Sequence, residues 1–331
     1  MKTRYIFSMG QIQRKDNSIA FKNEKGWHYV PVEGVREIYF MNEVSLNTKF
    51  LDFAARAGIV LHFFNYHGGY SGTFYPKEHY ISGRLKIAQV NAYNRYRLDI
   101  AKSIILAVAE NLRFLLYHYY RHGKQELKAI LDWLNYDIKN IVEKTTTIKQ
   151  LLYVEGQMWI RFYDTFNSLL PLNFQMQARV KRPPNNPINA LISFGNTLLY
   201  TKTISAIYQT HLDQSISFLH EPMESRFSLS LDLSEAFKPV VVFRTIFELI
   251  NRRKIRVDDH FEKRLNYAIL NREGKKIFIQ AFESRLSSKF VHSKLKRNVS
   301  LEHAIKLDGY KLIKYLLNQD MFNPFSIKEK Q

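Results

Sequence analysis

At 331 residues and 46% apolar content, the chain is long enough for two domains and has the composition of a folded protein. Its 49 Lys and Arg against 30 Asp and Glu leave a net charge of +19, so a polyanion is the expected partner, nucleic acid before anionic membrane; a lysine-biased proteome is the plainer explanation. The absence of cysteine excludes disulfides and thiolate zinc sites and makes a reducing cytoplasm the expected compartment, while no apolar run approaches the ~20 residues of a membrane span and the N-terminus lacks a signal-peptide core.

Residues 4–75 read as β structure. YIFSM (5–9), SIAFKN (18–23), WHYVPV (27–32) and VREIYF (35–40) are short β-branched or aromatic runs, divided by turn signals at Asp16-Asn17, Lys25-Gly26 and Glu33-Gly34. Asn47 is positioned to cap a short helix from Thr48 to Ala57 that Gly58 ends. IVLHFF (59–64) and YSGTFY (70–75) complete the strands. After Tyr75-Pro76 glycine becomes scarce and the apolar period moves toward 3.6. Helices are expected over 78–121, 125–146, 147–168 and 187–212, with more after 229 and a frayed tail from Asn323. Asn186-Pro187 marks a helix start, and ARVKRPPNNP (178–187) must be a loop. The expected fold is α+β: an N-terminal β domain (1–77) followed by a nearly all-α domain (78–331).

Four residues stand out chemically. Asp232 and Glu235 lie three apart in an apolar-rich segment, so a helix would place both carboxylates on one side. Pro239 denies the carbonyl of Glu235 its amide partner and should bend the backbone. His220 precedes by a few residues, next to a proline turn. Glu155 falls on the helical face of Leu151, Leu152, Met158, Trp159 and Phe162, where a carboxylate is costly unless paired or bound to a cation. Each has a plainer reading: Glu155 paired with an arginine, His220 as a loop hydrogen-bonder, Asp232 as a helix cap. Gly156 lowers helix propensity with no local gain, which suggests a packing or site role. Together, two or three carboxylates and an imidazole without thiols suit Mg²⁺ or Mn²⁺. No Walker A, GxGxxG, GxSxG or HExxH pattern occurs, so nucleotide hydrolysis, dinucleotide chemistry and serine-hydrolase chemistry lack support. Basic residues cluster in the loop (Arg179, Lys181, Arg182) and late in the chain (Arg252, Arg253, Lys254, Lys275, Lys276, Lys289, Lys294, Lys296, Arg297), as phosphate contacts would require.

LYVEGQMWIRFY (152–163), RPPNNPINALISFGNTLL (182–199), LDQSISFLHEP (212–222) and SLSLDLSEAFKPVVVFR (228–244) resemble, in order, the motifs of the CRISPR-associated protein 1 family, the spacer-acquisition integrases. The N-terminal stretch from Val35 to Phe74 resembles that family's β domain. The resemblance implies metal ligands at Glu155, His220 and Glu235, with Asp232 as an auxiliary acid. It implies a homodimer formed through the β domains, joined to a dimer of the small ferredoxin-like CRISPR-associated protein 2 in a heterohexamer. It implies transesterification of a DNA 3′-hydroxyl onto a CRISPR repeat, and nuclease activity on double-stranded and branched DNA. The chain departs from the family pattern at Met158 and Trp159, where small residues are usual, and at Phe243, where an aspartate often precedes the arginine. The competing reading is a non-catalytic DNA-binding scaffold in which Glu155 and Glu235 pair with arginines. A peripheral membrane protein fits less well, since no helix opposes a Lys/Arg face to a Trp/Leu face.

Overall fold

The computed structural model of the protein describes residues 2–76, 82–181, 183–222, 227–262, 267–292, 294–317 and 321–327. The chain forms two compact units, residues 1–81 and 82–331.

In the first unit, β1 (Lys2–Ile6), β2 (Gly10–Lys15), β3 (Ser18–Asn23), β4 (Gly26–Pro31), β5 (Val35–Phe40), β6 (Val44–Leu46), α1 (Thr48–Arg56), β7 (Val60–Phe64) and β8 (Tyr70–Phe74) follow in order. They make two four-stranded sheets, β1-β5-β7-β8 and β4-β3-β2-β6. Ile12, Ile19 and Phe21 of one sheet and Ile38, Phe40 and Leu61 of the other meet Phe50 and Phe53 of α1 in a single core. Asn47 caps α1 by accepting from the Phe50 amide, and Gly58 ends it at a positive φ of 67°. Two strands escaped the sequence reading. GQIQRK holds one inward isoleucine among polar residues, and VSL is only three residues long, so neither shows a period. The expected 5–9 strand is instead the end of β1 and the link to β2.

The second unit opens with α2 (Gly83–Arg121), capped by Ser82; residues 78–81 of the expected helix lie outside the described residues. The expected 125–146 helix is broken into a 3-10 turn (Gln125–Leu127), α3 (Lys128–Asp132), a π-helical turn (Trp133–Asp137) and α4 (Ile138–Lys144). Then come α5 (Ile148–Asp164), α6 (Phe166–Leu169), loop at the described residues 178–181 and 183–186, and α7 (Pro187–Tyr208). α7 starts on the Asn186 cap with proline inside its first turn and is buried nearly all round, making it the central helix. α8 (Ser228–Glu235), a π-helical segment (Lys238–Phe243), α9 (Arg244–Asn251), α10 (Val257–His260), α11 (Arg272–Ser287), the hairpin β9 (Lys289–Val291) and β10 (Asn298–Ser300), and α12 (Leu301–Leu316) complete the unit.

The π segment is the bend that Pro239 forces, and it is held from outside. Asn111 of α2 donates to the Ala236 carbonyl at 2.7 Å, and Arg285 of α11 donates to the Val240 carbonyl at 3.0 Å. Asn111 also donates to the Phe325 carbonyl and accepts from the Ile327 amide, while Phe325 stacks on Phe237 at 4.6 Å. The described tail is therefore docked, correcting the expectation that it frays from Asn323: its backbone finds buried partners more than 200 residues away.

Gly195 of α7 lets the π segment approach. A β-carbon there would stand 2.6 Å from Val242 Cγ1 and 2.9 Å from Phe278 Cζ, both in the core. Overpacking should outweigh the helix-propensity gain, so Gly195→Ala is expected to lower stability by about 1–2 kcal/mol. Chemical denaturation would measure this.

Candidate metal centre and DNA-facing surface

α5 carries the first acid. Thr147 caps the helix by accepting from the Gln150 amide, and Leu151, Val154, Met158 and Phe162 are buried on its inner face. Glu155 sits half-buried at the edge of that stripe. Its Oε1 accepts from the Trp159 indole N–H at 2.9 Å, so its partner is an indole rather than an arginine. Burial pushes the Glu155 carboxyl up, with the charge of Glu235 adding to the effect; Lys238, His220 and the indole hydrogen bond oppose it. Of the packing or site role expected of Gly156, the packing alternative finds no support: an added β-carbon there would meet nothing within 4 Å among the described residues.

Asp232 is no helix cap. It lies inside α8, fully buried, and its carboxylate gathers the preceding loop. Oδ2 accepts from the amides of Phe218 (2.6 Å) and Leu219 (2.9 Å), and Oδ1 accepts from the amide of His220 (3.0 Å). The same Oδ1 lies 2.8 Å from His220 Nδ1. Arg97 of α2 buttresses the loop from the far side, donating to the Phe218 carbonyl at 2.8 Å and to Glu221 at 2.7 Å. With Nδ1 engaged, Nε2 is the imidazole atom left for a ligand.

Burial alone would lower the His220 imidazole. The hydrogen bond and charge of Asp232, with Glu235 behind, outweigh that and Lys238, and hold it above the usual 6.5. A raised folded-state pKa gives stability that is complete below the unfolded value and lost as pH rises through the folded one. In EDTA, the melting-temperature advantage of the wild type over His220→Gln should shrink as pH climbs from about 6.5. A pH series of melting curves for the two chains would show it.

Glu235 ends α8, almost fully buried. Its Oε1 accepts from the Lys238 ammonium one turn on, and its Oε2 is buried with no hydrogen-bond partner among the described residues. The Lys238 ammonium also lies 5.6 Å from the centre of the Trp159 ring, which links Glu235 to the indole that holds Glu155. Glu155, Glu235, His220 and Lys238 thus form one electrostatic neighbourhood, drawn from α5, the 217–222 loop and the α8 end. Among the described residues, no three His, Asp or Glu side chains already stand as a metal cage. The donor chemistry nevertheless fits a hard divalent cation: an orphaned buried Oε2 on Glu235, the second oxygen of Glu155, and Nε2 of His220. Lys238 had no role in the sequence reading, and Trp159 entered it only as an apolar neighbour of Glu155 and a departure from the family pattern. The spacing Asp232, Glu235, Lys238 was the available signal for the lysine, and the four-residue spacing from Glu155 was the signal for the indole.

The basic residues divide. Arg179 is turned inward, donating to the Val180 carbonyl (2.6 Å), Asn189 Oδ1 (3.0 Å) and Ser193 (2.9 Å), and so holds the loop to α7. Lys275 is buried rather than on the surface. Lys181, Arg252, Arg253, Lys254, Lys276, Lys289, Lys294, Lys296 and Arg297 are exposed, with Arg252 paired to Glu248 and Lys276 to Glu273; Arg182 lies outside the described residues. Around the β9–β10 hairpin the field is positive: burial, then Lys311, Lys294 and Arg297, push His292 down, and burial, then Lys306 and Arg297, do the same to His303.

Residues 4–284 match the family model for CRISPR associated protein Cas1. The chain belongs to the Cas1 family. It is 41% identical to the CRISPR-associated endonuclease Cas1 2 of Thermodesulfovibrio yellowstonii, over 98% of both chains. The solved Cas1 protein TM1797 of Thermotoga maritima superposes with a TM-score of 0.87 at 38% identity, covering 97% of this chain and 99% of that one. Two more distant structures share the Cas1 fold. A casposase bound to integration product has a TM-score of 0.86 at 21% identity, covering 99% and 95% of the two chains. A chain of a Cas6-RT-Cas1–Cas2 complex has a TM-score of 0.85 at 19% identity, covering 99% of this chain and 36% of that one. The N-terminal β region followed by a mostly helical part is thus the Cas1 architecture. Among the described residues no helix is long and apolar enough to cross a membrane.

Proposed function

We propose that this Cas1 chain is a divalent-metal-dependent DNA endonuclease and integrase acting in CRISPR spacer acquisition. The observation that carries the reading is the orphaned Glu235 oxygen, buried in the same electrostatic neighbourhood as Glu155 and a His220 pinned by Asp232. Glu155, His220 and Glu235 would hold Mg²⁺ or Mn²⁺, which supplies Lewis-acid activation of a phosphodiester and stabilises charge on the departing oxygen. Asp232 keeps the imidazole in one tautomer and orientation. The basic surface would hold the DNA backbone so that a strand's 3′-hydroxyl meets the target phosphorus: one P–O bond forms as another breaks, and the released 3′-oxygen takes up a proton. With water as the nucleophile, the same centre would cut DNA. The structural relatives that contain Cas2 and an integration product support a DNA substrate and a Cas2 partner. The assembly we propose is a homodimer joined through the β domains and bound to a Cas2 dimer as a heterohexamer.

The test is strand transfer and cleavage on a branched, nicked duplex, with Mn²⁺ or EDTA, for wild type and Glu155→Ala, without and then with Cas2. Product that requires both the metal and Glu155 supports the reading; silence in every mixture favours a scaffold. DNA affinity should fall by about 10³-fold or more between 50 and 200 mM salt if six or more phosphates are neutralised. A flat salt response would mean that the exposed basic residues do not form the DNA footprint.

A further inference from the structure

On α5, Glu155, Trp159 and Tyr163 succeed one another at four-residue spacing and share a face. The Trp159 indole touches the centre in two ways. Its N–H donates to Glu155 Oε1 at 2.9 Å, and its ring lies under the Lys238 ammonium that binds Glu235. The ring is itself held on three sides. Tyr163 stacks at 6.0 Å, Phe243 lies at 5.6 Å and Phe162 packs edge-on at 5.9 Å. An indole nitrogen can only donate, so this contact distinguishes the two carboxylate oxygens of Glu155 and leaves Oε2 as the one for a ligand.

We infer that Trp159 is a positioning residue: it orients the Glu155 carboxylate through its N–H and seats Lys238 against Glu235 through its ring, so that both acids present one oxygen each to the ion. Phe243 and Trp159, two of the three departures from the family pattern, pack on each other. The inference rests on the proposal that Glu155 and Glu235 hold the divalent ion. A hydrogen-bonding partner of a metal-ligating carboxylate contributes about 10- to 100-fold to affinity.

The test is Mn²⁺ binding by the full-length chain, read as loss of the free-ion electron paramagnetic resonance signal, with DNA affinity in EDTA measured alongside. Trp159→Phe keeps a ring in place and removes the N–H; it should weaken Mn²⁺ binding about 10- to 100-fold and leave DNA affinity unchanged. Benzothienylalanine at position 159, an isostere without N–H, should show the same loss. This arm separates the missing hydrogen bond from altered packing should Trp159→Phe fold poorly. Glu155→Gln is the control for the underlying reading. If it binds Mn²⁺ as the wild type does, the ion-site reading fails, and the inference fails with it. If Glu155→Gln loses Mn²⁺ while either Trp159 replacement binds within twofold of the wild type, the role of Trp159 alone is overturned.

Discussion

Glu235→Gln is expected to bind DNA and to melt no lower than the wild type in EDTA, yet to lose about 10³-fold or more of its strand cleavage and joining. The loss follows from removing an anionic ligand, since a bound metal supplies several kcal/mol of transition-state stabilisation and each ~1.4 kcal/mol is tenfold in rate. The retained stability follows from the charges. Two carboxylates, Glu155 and Glu235, share one nearby ammonium, Lys238, and one Glu235 oxygen is buried without a partner among the described residues. Replacing Glu235 with a neutral amide leaves one anion and one cation, and relieves an arrangement that disfavours the folded chain in the absence of a divalent ion. Such a trade of stability for function is expected at a site built to take up charge. Thermal melts in EDTA and single-turnover cleavage with Mn²⁺ would decide. A variant that melts several degrees lower but keeps its activity would show that Glu235 is a structural ion-pair partner.

Asp232→Ala should be the most destabilising single change at the centre. Three backbone amides, of Phe218, Leu219 and His220, and the Nδ1 of His220 all depend on this one carboxylate; Phe218, Leu219 and Asp232 are fully buried and His220 is half-buried. Removing it strands several buried donors at about 1–3 kcal/mol each, partly relieved by local rearrangement, so a net loss of about 3–5 kcal/mol is expected. Activity should fall at least as far as in His220→Ala, because the loop that presents the imidazole loses its anchor. Asp232→Asn should recover little, since each carboxylate oxygen faces two donors and an amide nitrogen placed there would oppose them. Denaturant titration gives the stability. The double variant Asp232→Ala/His220→Ala gives the coupling: activity losses that simply add would show that Asp232 acts independently of the imidazole.

Much of the fold was legible because its signals are local. Asn47 and Asn186 cap the helices they announce, and strands β3, β5, β7 and β8 lie within a residue or two of their apolar runs. The misses have local causes as well. β2 shows one apolar residue to a window that needs several, and the π-helical turn at Trp133–Asp137 leaves no trace in a 3.6-residue period. The tail after Asn323 reads as polar and loose, and its described part, through Ile327, is held by Asn111 and Asp308, residues that carry no mark of that role.

The candidate centre divides in the same way. The motifs around Glu155, His220, Asp232 and Glu235, and with them membership of the Cas1 family, were determined by the sequence alone, because residue type and spacing survive without coordinates. What each group does to its neighbours was decided only by the tertiary structure. Asp232 proved to be an anchor for three amides and an imidazole, Glu155 found an indole instead of an arginine, Lys238 took one oxygen of Glu235, and Arg179 turned inward. These are hydrogen bonds and charge contacts, some spanning more than a hundred residues, as between Asn111 and Ala236 or Arg97 and Phe218. Their strength depends on a few ångströms of distance and on the exclusion of water, and a chain acquires both only when its distant segments pack.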